Sequence, residues 1–203
     1  QSTLDAVVAA SGGLRAVAVA LYKIASDIRL LGHGPRAGMA EIAIPAVQPG
    51  SSIMPGKVNP VINESVTMVA AQVIGNDATI AFCGAAGSLL ELNVMMPVAA
   101  YDLLESVEIL ASASRNFAAQ AIDGITATGN GPALVERGLM TCTALVPRVG
   151  YDAAAAIAKE ALSSGRTVRE VAREKTGLSD AELNELLDPE KMTMPGRDVA
   201  AGG

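Results

Sequence analysis

Aromatic side chains are almost missing from this chain. Of its 203 residues, 2% are Phe, Tyr or Trp, and there is no Trp. A nucleic-acid surface needs ring faces on which bases stack and a local excess of positive charge against phosphates. With a formal net charge of −6, the chain offers neither, and no nucleic-acid partner is expected. Cysteine is equally scarce: Cys83 and Cys142 are too few and too far apart for a disulfide framework or a zinc site, and a reducing, cytoplasmic compartment is expected. The single histidine, His33, cannot anchor a metal cluster, so neither a metal nor a cofactor is expected. Long uncharged apolar runs are missing too, because Lys23 and Asp27 break one candidate and Glu64, Gln72, Asn76 and Asp77 another; no membrane span is expected. No signal peptide is visible, and the chain opens with Gln1 inside a helical pattern, which raises the expectation that a front half is missing.

What the chain has is aliphatic. Half of it is hydrophobic and 18% is charged, with eight Met, a vocabulary that suits closely packed helices and can fill one domain or two. Leu4, Val7, Ser11, Leu14, Ala18, Leu21, Ala25 and Ile28 alternate steps of three and four, the seam of a long bundle helix ending near Gly32. Gly12 and Gly13 interrupt it, predicting a kink or a close helix approach. A loop follows from Gly32 to Asn59, with four prolines, five glycines and a short extended piece at Glu41 to Pro45; loops of that length inside a domain are usually functional. A second helix is predicted after Asn59-Pro60, with Asn59 as its cap and the stripe Ile62, Val66, Val69, Val73 and Ile80. A third carries Leu92, Met96, Ala99, Leu103, Val107, Leu110 and Phe117 on one face. Beyond Gly124 the texture shortens: Asp152 is placed to cap a helix, and Thr167 with Glu170 and Ser179 with Glu182 have capping-box spacing. The expectation is an all-α chain of long antiparallel bundle helices over residues 1–121 and a small helical C-terminal domain over 122–203, its tail from Arg197 frayed.

The loop holds the chemistry. "PGSSIMPGKVNP", Pro49 to Pro60, is not a nucleotide-phosphate loop: the spacing from Gly50 to Gly56 is one residue too long and Val58 stands where a magnesium-binding hydroxyl is needed. Read from the residues alone, Ser51 and Ser52 are either reactive hydroxyls or solvated turn residues. Lys57 is either an anion ligand or a solvated charge. Asn59 is either a site residue or a helix cap, and Glu64 either a site carboxylate or a plain exposed helix glutamate.

"GSSIMPGKVNP" resembles the signature of the fumarase/aspartase superfamily. The stretches "KIASDIRLLGHGPRAGMAEIAIP", "NESVTMVAAQVIGND", "ELNVMMPV", "LLESVEIL" and "VGYDAAAAIAKEA" are similar to the corresponding parts of class II fumarases and aspartases, so the resemblance runs from about Leu4 to Gly196. It implies the C-terminal portion of a longer lyase that eliminates water or ammonia reversibly from a four-carbon dicarboxylate. By position, Ser51 is implied as the base that removes the proton beside a carboxylate, building a doubly charged aci-carboxylate. Lys57 is implied to bind and neutralise the substrate carboxylate and Asn59 to hydrogen-bond it, with Ser52 beside them shaping the loop. Glu64 matches the carboxylate that, in relatives, orients a histidine contributed from the part not present here; His33 reads as a loop residue and Arg36 as a support of the loop. The motif "MPGK" and the ending "KMTMPG" favour fumarate hydration to malate; "GITAT" leans towards aspartate ammonia-lyase, and "GAAGSLLELN" departs from both by one additional residue. A noncatalytic helical assembly piece is the reading from a different class. The resemblance also implies a homotetramer with bundle helices in a shared core and active sites built from several chains.

Overall fold

The regular three-and-four spacing of the first seam produces one uninterrupted helix. In the computed structural model, which describes residues 2–194, α1 spans Asp5–Leu31. Leu4, Ser11, Ala18 and Ala25 are buried, and Val7, Leu14, Leu21 and Ile28 are half-buried, one continuous stripe. Of the kink or close helix approach expected at Gly12 and Gly13, the close approach does not occur: the helix continues through both, and a methyl group on Gly13 would meet nothing within 4 Å. Both glycines lie off the seam, so no neighbour presses on them.

Helix α2, Val61–Ala86, runs antiparallel to α1, and α3, Met96–Phe117, runs antiparallel to α2. The register shows in three apolar layers to which α2 and its neighbours contribute. Leu4, Cys83 and Ala99 form one; Ala18, Ala70, Val73 and Leu110 the next; Ala25, Val66, Phe117 and Ala121 the third. Small residues on α1 let the backbones approach while Val, Leu and Phe from the partners fill the gaps. Between the layers α2 sends polar side chains both ways. Buried Asp77 accepts a hydrogen bond from Ser11 Oγ at 2.7 Å and pairs with Arg15 at 2.7 Å. Asn76 Nδ2 donates to Glu105 Oε2 at 2.8 Å and to Ser106 Oγ at 3.1 Å. A buried polar group left unpaired is expensive, so sliding either helix by one residue would strand these groups; they pin the register.

Several expectations for this unit need correction. The third helix does not include Leu92: a hairpin of β2 (Ser88–Leu89) and β3 (Leu92–Asn93) intervenes. It is tied down by Asn93 Nδ2, which donates to Cys83 O at 3.2 Å and Ser2 O at 3.3 Å. Met96 and Val107 of the predicted stripe are exposed; the buried face of α3 is Ala99, Ser106, Leu110 and Phe117. The extended piece near Glu41 exists as β1 (Ile42–Ala43), paired antiparallel with β4 (Thr126–Ala127). By length and composition alone, α1 and α2 are long and apolar enough to cross a membrane, with mean hydropathy of 1.5 and 1.3, contrary to the expectation that interrupting polar residues leave no candidate span. Those residues are few, so an average over several turns passes them by. In the fold Asn63, Asn76 and Asp77 are buried.

The second unit covers residues 129–203, and the first ends at Thr128, later than the expected division after residue 121. The strand β4 and Thr128, whose hydroxyl donates to Ala40 O and Glu41 O, tie residues 126–128 to the first unit. The described part of the second unit contains α4 (Asn130–Arg137), a 3₁₀ turn at Met140–Leu145, α5 (Val146–Val149), α6 (Tyr151–Ser164), α7 (Val168–Thr176), α8 (Asp180–Leu186) and α9 (Pro189–Thr193). Both predicted capping boxes are present, Thr167 with Glu170 and Ser179 with Glu182. Asp152 lies inside the first turn of α6, two residues too late to cap it; Gly150 holds the cap position. Leu145, Val171, Ala172 and Leu183 are fully buried in one core with Ile157, Ala161 and Leu187. The tail expected to fray lies outside the described residues.

Candidate active site

Residues 50–59 fold back on themselves because Gly50 is held from both sides. Its N–H donates to Lys57 O at 2.8 Å, and its carbonyl accepts from Asn59 Nδ2 at 3.0 Å. The approach is so close that a Cβ on Gly50 would sit 2.8 Å from Lys57 O, and Gly56 turns the chain with φ +78°, conformational demands that only glycine meets without strain. Asn59 is therefore not the cap of α2. Pro60 occupies the cap position with no side-chain cap bond, and the Asn59 amide closes the loop instead, committing one of its two hydrogens.

That closure shapes the environment of Ser51. Its half-buried hydroxyl oxygen accepts the backbone N–H of Ile53 at 3.3 Å and of Met54 at 3.2 Å, the turn a serine makes when its side chain replaces a backbone acceptor. Two N–H dipoles thus converge on one oxygen. Ser51 and Lys57 both line a solvent-open concavity of about 490 Å³, walled by Val47, Met54, Pro55 and Val58. A cation, a hydroxyl with two amides behind it and an apolar wall make a site suited to a small anion.

The other predicted residues do not line this concavity. Ser52 is exposed and does not line it. Asn59 borders a narrow second space at the base of the loop with Ile44, Pro45, Asn63 and Gln120. Glu64 lies in the first turn of α2, where a carboxylate is favoured by the helix dipole. Its Oε1 is 3.6 Å from Arg29 Nη2. His33 is exposed, with Nδ1 2.6 Å from Leu30 O. Arg36 is exposed and has no ion-pair partner among the described residues. No group of three or more His, Cys, Asp or Glu able to hold a metal occurs among the described residues. Sequence reasoning missed the amides of Ile53 and Met54, because any residue supplies an N–H and only the backbone path shows where it points. It also missed Arg29, whose signal was its place in the last turn of α1, three residues before the loop begins at Gly32.

Comparison with known proteins agrees with the loop. Residues 1–75 match the family described as Lyase, and residues 142–194 match the family described as Fumarase C C-terminus. The chain is 50% identical over 193 residues to a class II fumarate hydratase of Pseudomonas aeruginosa, covering 95% of this chain and 41% of that protein. The chain belongs to the fumarase/aspartase superfamily. Among solved members, a fumarate lyase:delta crystallin of Brucella melitensis superposes with a TM-score of 0.88 at 51% identity, covering 96% of this chain and 42% of that one. The class II fumarase of Schistosoma mansoni superposes with a TM-score of 0.88 at 36% identity, covering 97% and 41%. The chain therefore spans about two-fifths of the length of the superfamily relatives it matches, and its all-α architecture is theirs.

Proposed function

We propose that this chain carries the proton-abstracting side of a fumarate hydratase. Malate binds with a carboxylate against the Lys57 ammonium. Ser51, as its alkoxide, takes the proton from the carbon beside that carboxylate, and the electron pair moves into the carboxylate to give the aci form. The hydroxyl on the neighbouring carbon then leaves as water with a proton from an acid outside this chain, and fumarate remains. Asn59 holds the loop and, with its second amide hydrogen, serves the same carboxylate, with Ser52 at the rim. Glu64 orients an imidazole supplied from outside these residues.

The observation that carries this reading is the pair of N–H donors on Ser51 Oγ, 3.3 and 3.2 Å away. A serine hydroxyl is a poor base in water, and its alkoxide becomes useful only where fixed donors and a nearby cation stabilise it. The partner class follows from charge and size: a small dicarboxylate at the loop. Neither a nucleic acid nor a membrane is a partner, a reading supported by the acidic balance and by the polar pins buried along α2. Two unpaired buried thiols, Cys83 and Cys142, support a cytoplasmic setting.

Assembly belongs to the same proposal. Val17, Tyr22 and Ile24 on α1 and Val98, Tyr101 and Leu104 on α3 are each 45% exposed or more, unusual for so many large apolar side chains on two helices. A homotetramer that shares these helices would cover them. The deciding assay supplies fumarate, with and without ammonium, to the polypeptide in which this chain naturally occurs, and identifies the product by chromatography. Malate is expected; aspartate at a comparable rate would transfer the site to ammonia elimination. The 203 residues alone are expected to show no turnover.

A further inference from the structure

Where the loop enters α2, two opposite charges meet. Glu64 stands in the first turn of α2 and Arg29 in the last turn of α1, and the Nη2–Oε1 distance is 3.6 Å. This is a charge contact, longer than a hydrogen bond and without the two-pronged geometry of an arginine fork. Two observations say that it is not there to hold the helices together. The side chains are 42% and 39% exposed, and an ion pair this wet adds little to stability. The helices are also already fastened one residue earlier, where buried Asn63 Nδ2 donates to Ala25 O at 3.2 Å over the apolar layer of Ala25, Val66, Phe117 and Ala121.

What the contact does fix is the Glu64 side chain. Three rotatable bonds leave a half-exposed carboxylate free to wander unless something draws one oxygen aside. Arg29 takes Oε1 towards α1, and Oε2 has no hydrogen-bond partner among the described residues. The chain's one imidazole does not claim it, since His33 turns to Leu30 O. We infer that Arg29 is a positioning residue: it sets Glu64 so that Oε2 faces outward as the acceptor for an imidazole N–H. The inference rests on the hydratase reading and on the place of Glu64 within it.

The test compares fumarate hydration by the natural polypeptide with Arg29→Met, Arg29→Lys, Glu64→Gln and the Arg29→Met/Glu64→Gln double variant. Glu64→Gln is expected to lower kcat about 10²-fold. Arg29→Met is expected to lower it about tenfold with KM little changed, the low end of what losing an outer partner of a reacting group costs. Arg29→Lys should keep most of the rate, because a charge contact asks for no fork. The double variant should be no slower than Glu64→Gln alone, since Arg29 then has nothing to act through. Effects that multiply, an unchanged kcat in Arg29→Met, or a Tm loss in that variant beyond about 2 °C alongside the lost rate would overturn the inference. If the unaltered protein hydrates fumarate and Glu64→Gln is silent, the inference fails while the Ser51 chemistry stands. If the unaltered protein turns over no fumarate, both fall.

Discussion

The two units of this chain treat their apolar side chains in opposite ways, and the second carries the larger share of the charge. In residues 129–194 short helices close on one core, with Leu145, Val171, Ala172 and Leu183 at no exposure. Two complete capping boxes open α7 and α8. Glu136–Arg169 and Asp180–Arg173 pairs lace the surface. In residues 2–128 the helices are longer than anything the unit can cover. Large apolar side chains stay exposed along α1 and α3, the seam of α2 holds buried Asn63, Asn76 and Asp77, and Asn63 Oδ1 is buried without a hydrogen-bond partner. The second unit thus gathers its buried side chains into one core of its own. The first unit instead keeps an exposed loop and leaves large apolar side chains of its long helices uncovered.

The sharpest way to break this comparison is to separate the units. Residues 129–203 expressed alone are expected to unfold cooperatively on heating, followed by circular dichroism, because their core draws on no other element. Residues 1–128 alone are expected to associate at micromolar concentration in light scattering, since exposed apolar area of this extent is rare on a stable monomer. A monomeric, well-folded 1–128 would remove the contrast. Next in size is the core itself. Leu183→Ala deletes a fully buried side chain and is expected to destabilise the second unit by about 2–5 kcal/mol, whereas Leu104→Ala on the exposed face of α3 should leave the stability of the chain almost unchanged and weaken its self-association. Equal losses from the two substitutions would show that α3 is not an interface.

Ser51→Ala sharpens the contrast from the chemical side. In the natural polypeptide it is expected to lower kcat at least ~10²-fold, while the melting temperature stays put, because Ser51 is half-buried and anchors only the turn to Ile53 and Met54. A rate close to the unaltered one would remove Ser51 as the base.

How far the sequence could be read follows from the range of the interactions involved. The seam of α1 was legible residue by residue because a helix repeats its own period, and both capping boxes were legible because their partners lie three residues apart. Ser11 stood out as a polar residue inside an apolar seam, yet its partner Asp77 is 66 residues away, and no local pattern links them. Asn59 misled for the same reason in reverse: as a neighbour of Pro60 it looks like a cap, and only the return of the chain to Gly50 shows where its amide goes. Leu92 was lost to a hairpin whose strands are two residues each, too short for alternation to register. At the candidate site, the motif singled out Ser51 and Lys57, which line one concavity, whereas the donors that meet Ser51 Oγ are anonymous backbone amides. The shared lesson is that side-chain identity announces a role only when the partner is close in sequence.

The smallest expected effect concerns acid stability, and it isolates the second unit. The backbone N–H and hydroxyl of Thr167 hold the Glu170 carboxyl below its usual range, with Arg166 and Arg173 adding to the effect. The backbone N–H and hydroxyl of Ser179, helped by Arg148, do the same for Glu182. A carboxyl whose pKa is lower folded than unfolded makes the unfolded chain bind more protons in the interval between the two values. The stabilisation is therefore fully present above the unfolded pKa of about 4.3 and is lost as the pH falls through the folded-state values. Replacing both by glutamine keeps an acceptor for the cap N–H groups but removes the titrating charge. Thermal melting of residues 129–203 between pH 3 and pH 7 should consequently show a shallower acid decline in Glu170→Gln/Glu182→Gln than in the unaltered unit, with the two curves converging at the lowest pH. Identical slopes would mean that the capping boxes hold these helices through hydrogen-bond geometry alone, with no contribution from charge.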